Sequence, residues 1–375
     1  MSGGEPVPAR AAGTGGPGAL AGTRVLDLTS LVPGAYATRL LADLGADVLK
    51  LERPSPAPFP SLGGWAPAVS QALDGGKRSL AVNLKHPRGA ALVRELAGTA
   101  DVLLEGFRPG VAARLGLGYR DLAGSCPRLV YCSLTGYGQT GARAGEAGHD
   151  LNYLAVTGLL SLTANPGQAP VLLPTLLADL AGGAMAALGI LAGLAARERT
   201  GQGSYLDVPL AGVVASWLPP GVRDRAGFPL AGQYACYTVW ETGDGRHVAL
   251  AALEPRFWEN FCRAAGREDL LPAQFSRASD PAWAELAGLF KGRSREEWTR
   301  LAAGKDLCLT PVLDPIEAGT DGGPGLPFAA GGIALDQRRH PPRRGEHTRE
   351  VLEGLGLPGP AIDDLAAGRV IELED

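Results

Sequence analysis

Residues 24–52 read RVLDLTSLVPGAYATRLLADLGADVLKLE, and this stretch decides the fold. RVLDLT (Arg24 to Thr29) is a β-rich run. PGAYATRLLADLG (Pro33 to Gly45) has helical apolar spacing, with proline in its first turn and glycine at its end, and ADVLKLE (Ala46 to Glu52) is a second strand. Strand, helix and strand in that order make a βαβ unit, whose crossover lays two strands side by side in parallel. The theme returns twice: SLAVNL (Ser79 to Leu84) precedes the helix-like PRGAALVRELAG, and ADVLLEGF (Ala100 to Phe107) precedes a short helix and the strand RLVYCSL (Arg128 to Leu134). The alternation predicts an α/β fold, a parallel sheet covered by helices.

A long helix is predicted over Leu176 to Arg199, ending at ERTGQGS, after which YLDVPL resumes a strand pattern. Inside that helix, LAGGAMAALGILAGLAA (Leu180 to Ala196) carries no charge and approaches the length of a membrane span. Its alanines and glycines insert weakly and Asp179 sits at its mouth, so a buried helix is the better reading and no membrane role is expected. From about Gly221 the style changes. YTVWETGDGRHVALAAL (Tyr237 to Leu253) reads as a hairpin around Gly-Asp-Gly, and EPRFWENFCRAAG and SREEWTRLAAG read as amphipathic helices of a smaller α+β domain. The end, HTREVLEGLGLPGPAIDDLAAGRVIEL, is helical with a break at Gly-Leu-Pro-Gly.

The 375 residues, 45% hydrophobic and 20% charged, suffice for one or two ordinary cores. A formal net charge of −4 supplies no field to hold a polyanion, so nucleic acid is not an expected partner. The 54 glycines and 30 prolines lack a collagen period and are interleaved with apolar runs, which makes them turns and close backbone contacts. Cys126, Cys132, Cys236, Cys262 and Cys308 stand at wide, irregular spacing without a C-x-x-C pair, which fits a reducing, cytoplasmic setting and no bound metal.

Gly136-Tyr137-Gly138-Gln139-Thr140-Gly141 follows a strand and matches G-x-G-x-x-G. The ARAGEAGHD after it lacks the apolar period of a helix whose N-terminus would take a pyrophosphate, and LTSLVPGAYA has no glycine triplet, so a dinucleotide site is not expected. No G-x-S-x-G elbow, P-loop or H-E-x-x-H occurs. Titratable groups beside small or apolar residues remain: His149 with Asp150 in AGHDLNYLAVTG, Asp179 in PTLLADLAGG, and Glu254 in ALEPRFW. Burial there shifts a pKa toward a catalytic value. Each also has a structural reading: His149 as the cap of a turn, Asp179 as a helix N-cap, Glu254 in the first turn of its own helix.

RVLDLT…LLADLGADVLKLERP, GGKRSLAVNLKHPRG, ADVLLEGFRPGVAARLGLGY, PRLVYCSLTGYGQTG, the AGHDLNYLAVTG block, LLADLAGG, RTGQGSYLDV and GEHTREVLEGLG together resemble the class III CoA-transferase family (CaiB/BaiF type). The resemblance covers nearly all of the chain from Arg24. GHD followed by NY, with ETGDGRHVALAALEPRFW, is similar to the α-methylacyl-CoA racemase branch. It implies a bound acyl-CoA thioester, with coenzyme A as part of the substrate and no further cofactor. It implies that His149 and Asp179 face opposite sides of the α-carbon, that the backbone N–H around Asp150 stabilises the thioester oxyanion, and that Glu254 orients His149. One group then removes the α-proton and the other returns a proton on the opposite face. In the transferase branch Asp179 is instead a nucleophile that forms a mixed anhydride and then an aspartyl-CoA thioester. A third reading is a CoA-binding module that has kept the fold and lost the reaction.

Arg53, Lys77, Arg78 and Arg108 lie in loops or beside strands of the first half, where a parallel sheet binds ligands, and are the expected holders of the CoA phosphates; Arg108, in FRPG, has the best family match. Their alternative is ordinary solvated surface. LERPSPAPFPSLGG departs from the family at the CoA-facing loop, and Met1 and Met185 are the only methionines, which points to a short, branched or polar acyl group. His86, His247, His340 and His347 are expected at surface or structural positions. The expected organisation is a flexible tail (1–22), a large Rossmann-like domain (23–204), a linker (205–231), a small α+β domain (232–314) and a return to the large domain (315–375). The family resemblance adds an interlocked homodimer.

Overall fold

The computed structural model describes residues 18–54, 65–164, 168–222, 224, 228–319 and 340–374. They fall into two compact units, the first from residues up to 160, 172–217 and the C-terminal stretch, the second from 161–171 and 218 onward. In the first unit six strands run parallel: β1 (Arg24–Asp27), β2 (Asp47–Glu52), β3 (Arg78–Val82), β4 (Val102–Glu105), β5 (Val130–Thr135) and β6 (Ser204–Pro209). Val48, Val25, Val102 and Val130 pair in one row across the middle of the sheet. β4 and β5 are buried along their whole lengths, as strands of a parallel sheet covered on both faces should be. The strand order 3-2-1-4-5-6 reverses between β1 and β4, and at such a switch point a crevice opens beyond the strands' C-terminal ends.

Helices α1 (Val32–Asp43), α2 (Trp65–Leu73) and α3 (Pro87–Thr99) connect the first four strands. The short α4 (Val111–Arg114) and α5 (Tyr119–Leu122) lead into β5. Between β5 and β6 come α6 (Asp150–Val156) and α7 (Leu177–Thr200), and α8 (Leu210–Ser216) follows β6. Because β6 and α8 fill residues 204–216, the large unit runs on to Trp217, past the point where a linker was expected to begin. At the other end, residues 1–17 of the expected tail lie outside the described residues, but 18–22 are not a tail: Leu20 is buried and its N–H donates to the Leu44 carbonyl at 2.9 Å.

α7 is long and apolar enough to cross a membrane, yet half of that apolar window is buried within the protein. Its buried face is built from small residues, Ala178, Ala181, Gly182, Gly183, Ala186 and Gly193, together with Ile190 and Leu194. They let the helix lie directly on α1 and β5. A Cβ added at Gly183 would stand 2.5 Å from the Pro33 carbonyl oxygen of α1, and one at Gly193 2.9 Å from Val130 of β5. α1 and α7 thereby seal one face of the sheet, over Val25, Val48, Leu104 and Cys132.

The second unit holds a three-stranded antiparallel sheet of β7 (Tyr237–Glu241), β8 (His247–Ala251) and β9 (Leu309–Pro311), with helices α9 (Pro255–Ala265), α10 (Pro281–Lys291) and α11 (Arg295–Ala302). Its core is aromatic: Phe290 stacks between Trp240 and Phe261, with Trp298 beside it. The indole N–H groups of Trp240, Trp258 and Trp298 each donate to a backbone carbonyl, which satisfies the polar end of each buried ring.

The chain returns to the first unit through α12 (Thr348–Gly354) and α13 (Gly359–Ala367), separated at the expected Gly-Leu-Pro-Gly break. The helical expectation fails for its last residues. Arg369 takes a left-handed backbone (φ 53°) and ends the helix, and Ile371–Glu372 form β10, antiparallel to β3. β-branched Val370 and Ile371 suit a strand, and the pairing covers the free edge of β3. The second face of the sheet is closed by α3, α12 and α13 through Leu92, Val93, Leu96, Leu352, Ile362 and Leu365.

The α1–α7 contact leaves no room for a side chain at Gly183. Gly183→Val is expected to lower stability by about 1–3 kcal/mol through overpacking. Urea unfolding followed by circular dichroism checks this; an unchanged midpoint would show that α1 and α7 are not in contact at this position.

Candidate active site

α6 begins where GHDLNY turns from loop to helix. His149 is its extended cap residue (φ −125°, ψ 177°), and Asn152, three residues on, accepts the His149 backbone N–H at 3.0 Å. The Tyr153 hydroxyl donates to the Gly148 carbonyl at 2.6 Å, so the backbone on both sides of the imidazole is held while its side chain stays exposed. Of the two readings of His149, the cap position is occupied, but the ring is free to serve a ligand.

Asp179 is the third residue of α7, not its N-cap. That place belongs to Leu176, whose side chain offers no acceptor. The helix is capped from outside: Asp150 Oδ1 accepts the Asp179 N–H at 3.0 Å and the Ala178 N–H also bonds to this carboxylate. Asp150 is 6% exposed, and burial raises its pKa against the lowering effect of those two donors. Asp179 is partly buried; desolvation first, and then the charge of Asp150, push its carboxyl up to about 7. Tyr153 reports how close the groups lie. Burial raises its phenol to about 12, Asp179, Tyr137 and Asp150 add to the rise, and the Arg108 guanidinium opposes it. The Tyr137 ring meets Tyr153 edge-on at 5.2 Å.

His149, Asp150, Asp179 and Arg108 therefore share one neighbourhood of the first unit. Arg108 stands in the loop beyond β4, at the switch point, and is exposed. The root of that loop is fixed by buried Glu105, which accepts the Phe107 N–H at 2.7 Å and the Ser133 hydroxyl at 2.5 Å. Arg53 is exposed just past the C-terminal end of β2. The other two expected phosphate holders are corrected. The Lys77 side chain is 0% exposed, lying 3.1 Å from Asp74 and 3.6 Å from Asp27 and donating to the Ala35 carbonyl at 3.0 Å. Every side of this ammonium is occupied, so it holds the fold together and reaches no ligand. Arg78 grips Asp47, the first residue of β2, through two bonds of 2.6 and 2.9 Å, and also meets Glu350. It thus points to the N-terminal edge of the sheet, away from the crevice.

Glu254 is the exposed cap residue of α9 in the second unit. The reshaped loop expected over residues 51–64 lies outside the described residues from 55 onward. Among the described residues no three or more His, Cys, Asp or Glu side chains are grouped to hold a metal. His86 caps α3, accepting the Arg88 N–H, and His347 accepts the Ser79 N–H. Sequence reasoning missed Tyr153 and Asn152, although His149-x-x-Asn152 has the spacing of a capping box and was the available signal.

The raised carboxyl of Asp179 has a consequence for stability. An unfolded Asp ionises near about 3.9, the folded one at about 7. Between these values the native state binds the extra proton, so its stability falls as pH rises through the window and is fully present only below it. Asp179→Asn removes the ionisation: its urea midpoint is expected to exceed the parent's at about pH 8 and to match it at about pH 4. The same difference at both pH values would refute the raised carboxyl.

The model of CoA-transferase family III matches residues 20–323. Human α-methylacyl-CoA racemase is 37% identical over 94% of this chain and 98% of its own length. Mouse succinyl-CoA:glutarate CoA-transferase is 31% identical over 94% and 90%. Among solved structures, a CaiB/BaiF family protein from Brucella suis superposes with a TM-score of 0.77 at 26% identity, over 91% of this chain and all of that one. With a family model spanning most of its length and relatives aligned almost end to end, the chain belongs to CoA-transferase family III.

Proposed function

We propose that this protein is an acyl-CoA racemase or epimerase that inverts the α-carbon of a 2-methylacyl-CoA-like thioester. One observation carries the reading: an exposed imidazole and a carboxyl that titrates at about 7 are joined through Asp150, by a peptide bond to His149 and by a hydrogen bond to Asp179. Inversion needs one group on each face of the α-carbon to take and return a proton, and an imidazole and a carboxyl raised by burial are side chains suited to general acid–base exchange. In one direction the deprotonated member of the pair takes the α-proton, and the C–H electron pair moves through the carbonyl to make an enolate. The protonated member then delivers its proton to the opposite face of the α-carbon. The reverse direction exchanges the roles. The Asp150 N–H, at the first helical position and without an acceptor in its own helix, is the proposed donor to the enolate oxygen. Arg108 and Arg53 are the proposed phosphate holders. The single methionine after Met1 favours a short, branched or polar acyl group over a long flexible one. The similarity to human and mouse α-methylacyl-CoA racemases supports this reading. By family resemblance the enzyme works as an interlocked homodimer, and its free cysteines fit a reducing cytoplasm.

A second reading, CoA transfer to a free carboxylic acid through an aspartyl-CoA thioester at Asp179, is favoured by the similarity to succinyl-CoA:glutarate CoA-transferase. A carboxyl held protonated to about 7 is a poorer nucleophile than a fully ionised one, and transfer has no need of His149.

Incubating 2-methylacyl-CoA thioesters with the enzyme in D2O, with no second acid present, is expected to place one deuteron on the α-carbon and scramble its configuration, read by mass spectrometry and chiral chromatography. His149→Ala and Asp179→Asn should each slow exchange by about 10²–10⁴-fold. Absence of exchange across the thioesters, with CoA passing to an added dicarboxylic acid, would decide for the transferase. Arg108→Ala should raise KM for the thioester by about tenfold or more, the loss of one charge-assisted bond, with a smaller change in kcat.

A further inference from the structure

Asp150 enters the mechanism above through its backbone N–H, yet its side chain is the more constrained part of the residue. The carboxylate is buried, accepts two N–H groups of α7, and follows the proposed acid–base imidazole directly in sequence. α7 has no cap of its own, so this contact is what seats its first turn against α6. We propose that the Asp150 side chain is a positioning residue, which seats the first turn of α7, sets the gap between His149 and Asp179 and places a second carboxyl beside that of Asp179. In its catalytic consequence this rests on the racemase reading.

Two carboxyls in close contact do not both ionise easily, and the one with more donors ionises first. Here the two α7 N–H groups go to Asp150. Among the described residues the other titratable groups around this end of α7 are His149 and Tyr153 at α6, Tyr137 from the loop after β5, Arg108 from the loop after β4, and Tyr36 of α1, whose ring lies against the turn of Gly183. α8 carries none, and the sheet groups Cys132 and Asp207 act on each other and on Glu105. Burial is the larger cause of the rise at Asp179, and Asp150 is the one charge that adds to it. A helix start ordinarily favours a carboxylate, but here the nearest N–H donors already go to Asp150 and are not left for the Asp179 side chain.

The test reads the carboxyl itself. In protein labelled with ¹³C at the aspartate carboxyls, the Asp179 signal is identified by its loss in Asp179→Asn and titrated. Asp150→Asn keeps an oxygen that accepts the Asp179 N–H but removes the charge. The Asp179 titration should then move down by about one pH unit or more, and the acid limb of the D2O exchange profile should move with it. An unchanged titration would overturn the electrostatic half. Asp150→Ala removes the acceptor as well and should lower exchange at every pH; a parent-like rate would overturn the positioning half. If Asp150→Asn does not fold, the parent decides: a coupled pair gives the Asp179 signal two inflections, and a single one overturns the proposal. Should the parent exchange no thioester at any pH, the racemase reading fails, while the carboxyl titration still stands or falls separately.

Discussion

The first N–H groups of α7 have no acceptor inside their own helix, and the carboxylate that answers them comes from Asp150, 29 residues before Asp179. This single buried contact joins the two helices that carry the site. On its N-terminal side stands His149, pinned by Asn152 and Tyr153 so that the imidazole projects from a fixed backbone. On its far side stands Asp179, whose carboxyl keeps its proton to near neutrality because it is desolvated and beside a charge. An exposed imidazole and a carboxyl of raised pKa are thus brought to neighbouring helix ends by one hydrogen bond and one burial.

For that bond to form, α7 must lie where its small residues allow. Gly183 against Pro33 and Gly193 against Val130 bring the helix onto α1 and β5 with nothing between. The small-residue face is used within the chain for the packing of its own sheet. An apolar run of membrane-like length is in this way turned inward, and its N-terminal turn is delivered to α6 beside the loops that follow β4 and β5.

The basic residues show how differently equal charges are used. Lys77 and Arg78 stand side by side in sequence, and neither faces the crevice. Lys77 neutralises Asp27 and Asp74 inside the fold, where removing one partner would leave a buried charge uncompensated. Arg78 ties β2 and β3 to α12 at the opposite edge of the sheet. Arg108 and Arg53 alone of the four follow the C-terminal ends of strands, and Arg108 alone acts on Tyr153.

The βαβ alternation, the hairpin at Gly-Asp-Gly, the helix breaks and the buried reading of α7 were all legible in the residues, because turn chemistry, apolar period and β-branched runs are local properties. The family motifs singled out His149, Asp150 and Asp179, which the fold brings to the adjoining starts of α6 and α7. What stayed hidden depended on partners distant along the chain. The burial of Lys77 depends on Asp27, fifty residues away, and the strand at Ile371 on the open edge of β3. The cap that Leu176 cannot supply comes from Asp150. Local sequence sets which conformations a segment favours, but a charge is free or neutralised, and a carboxyl acidic or held protonated, only by what the folded chain places beside it.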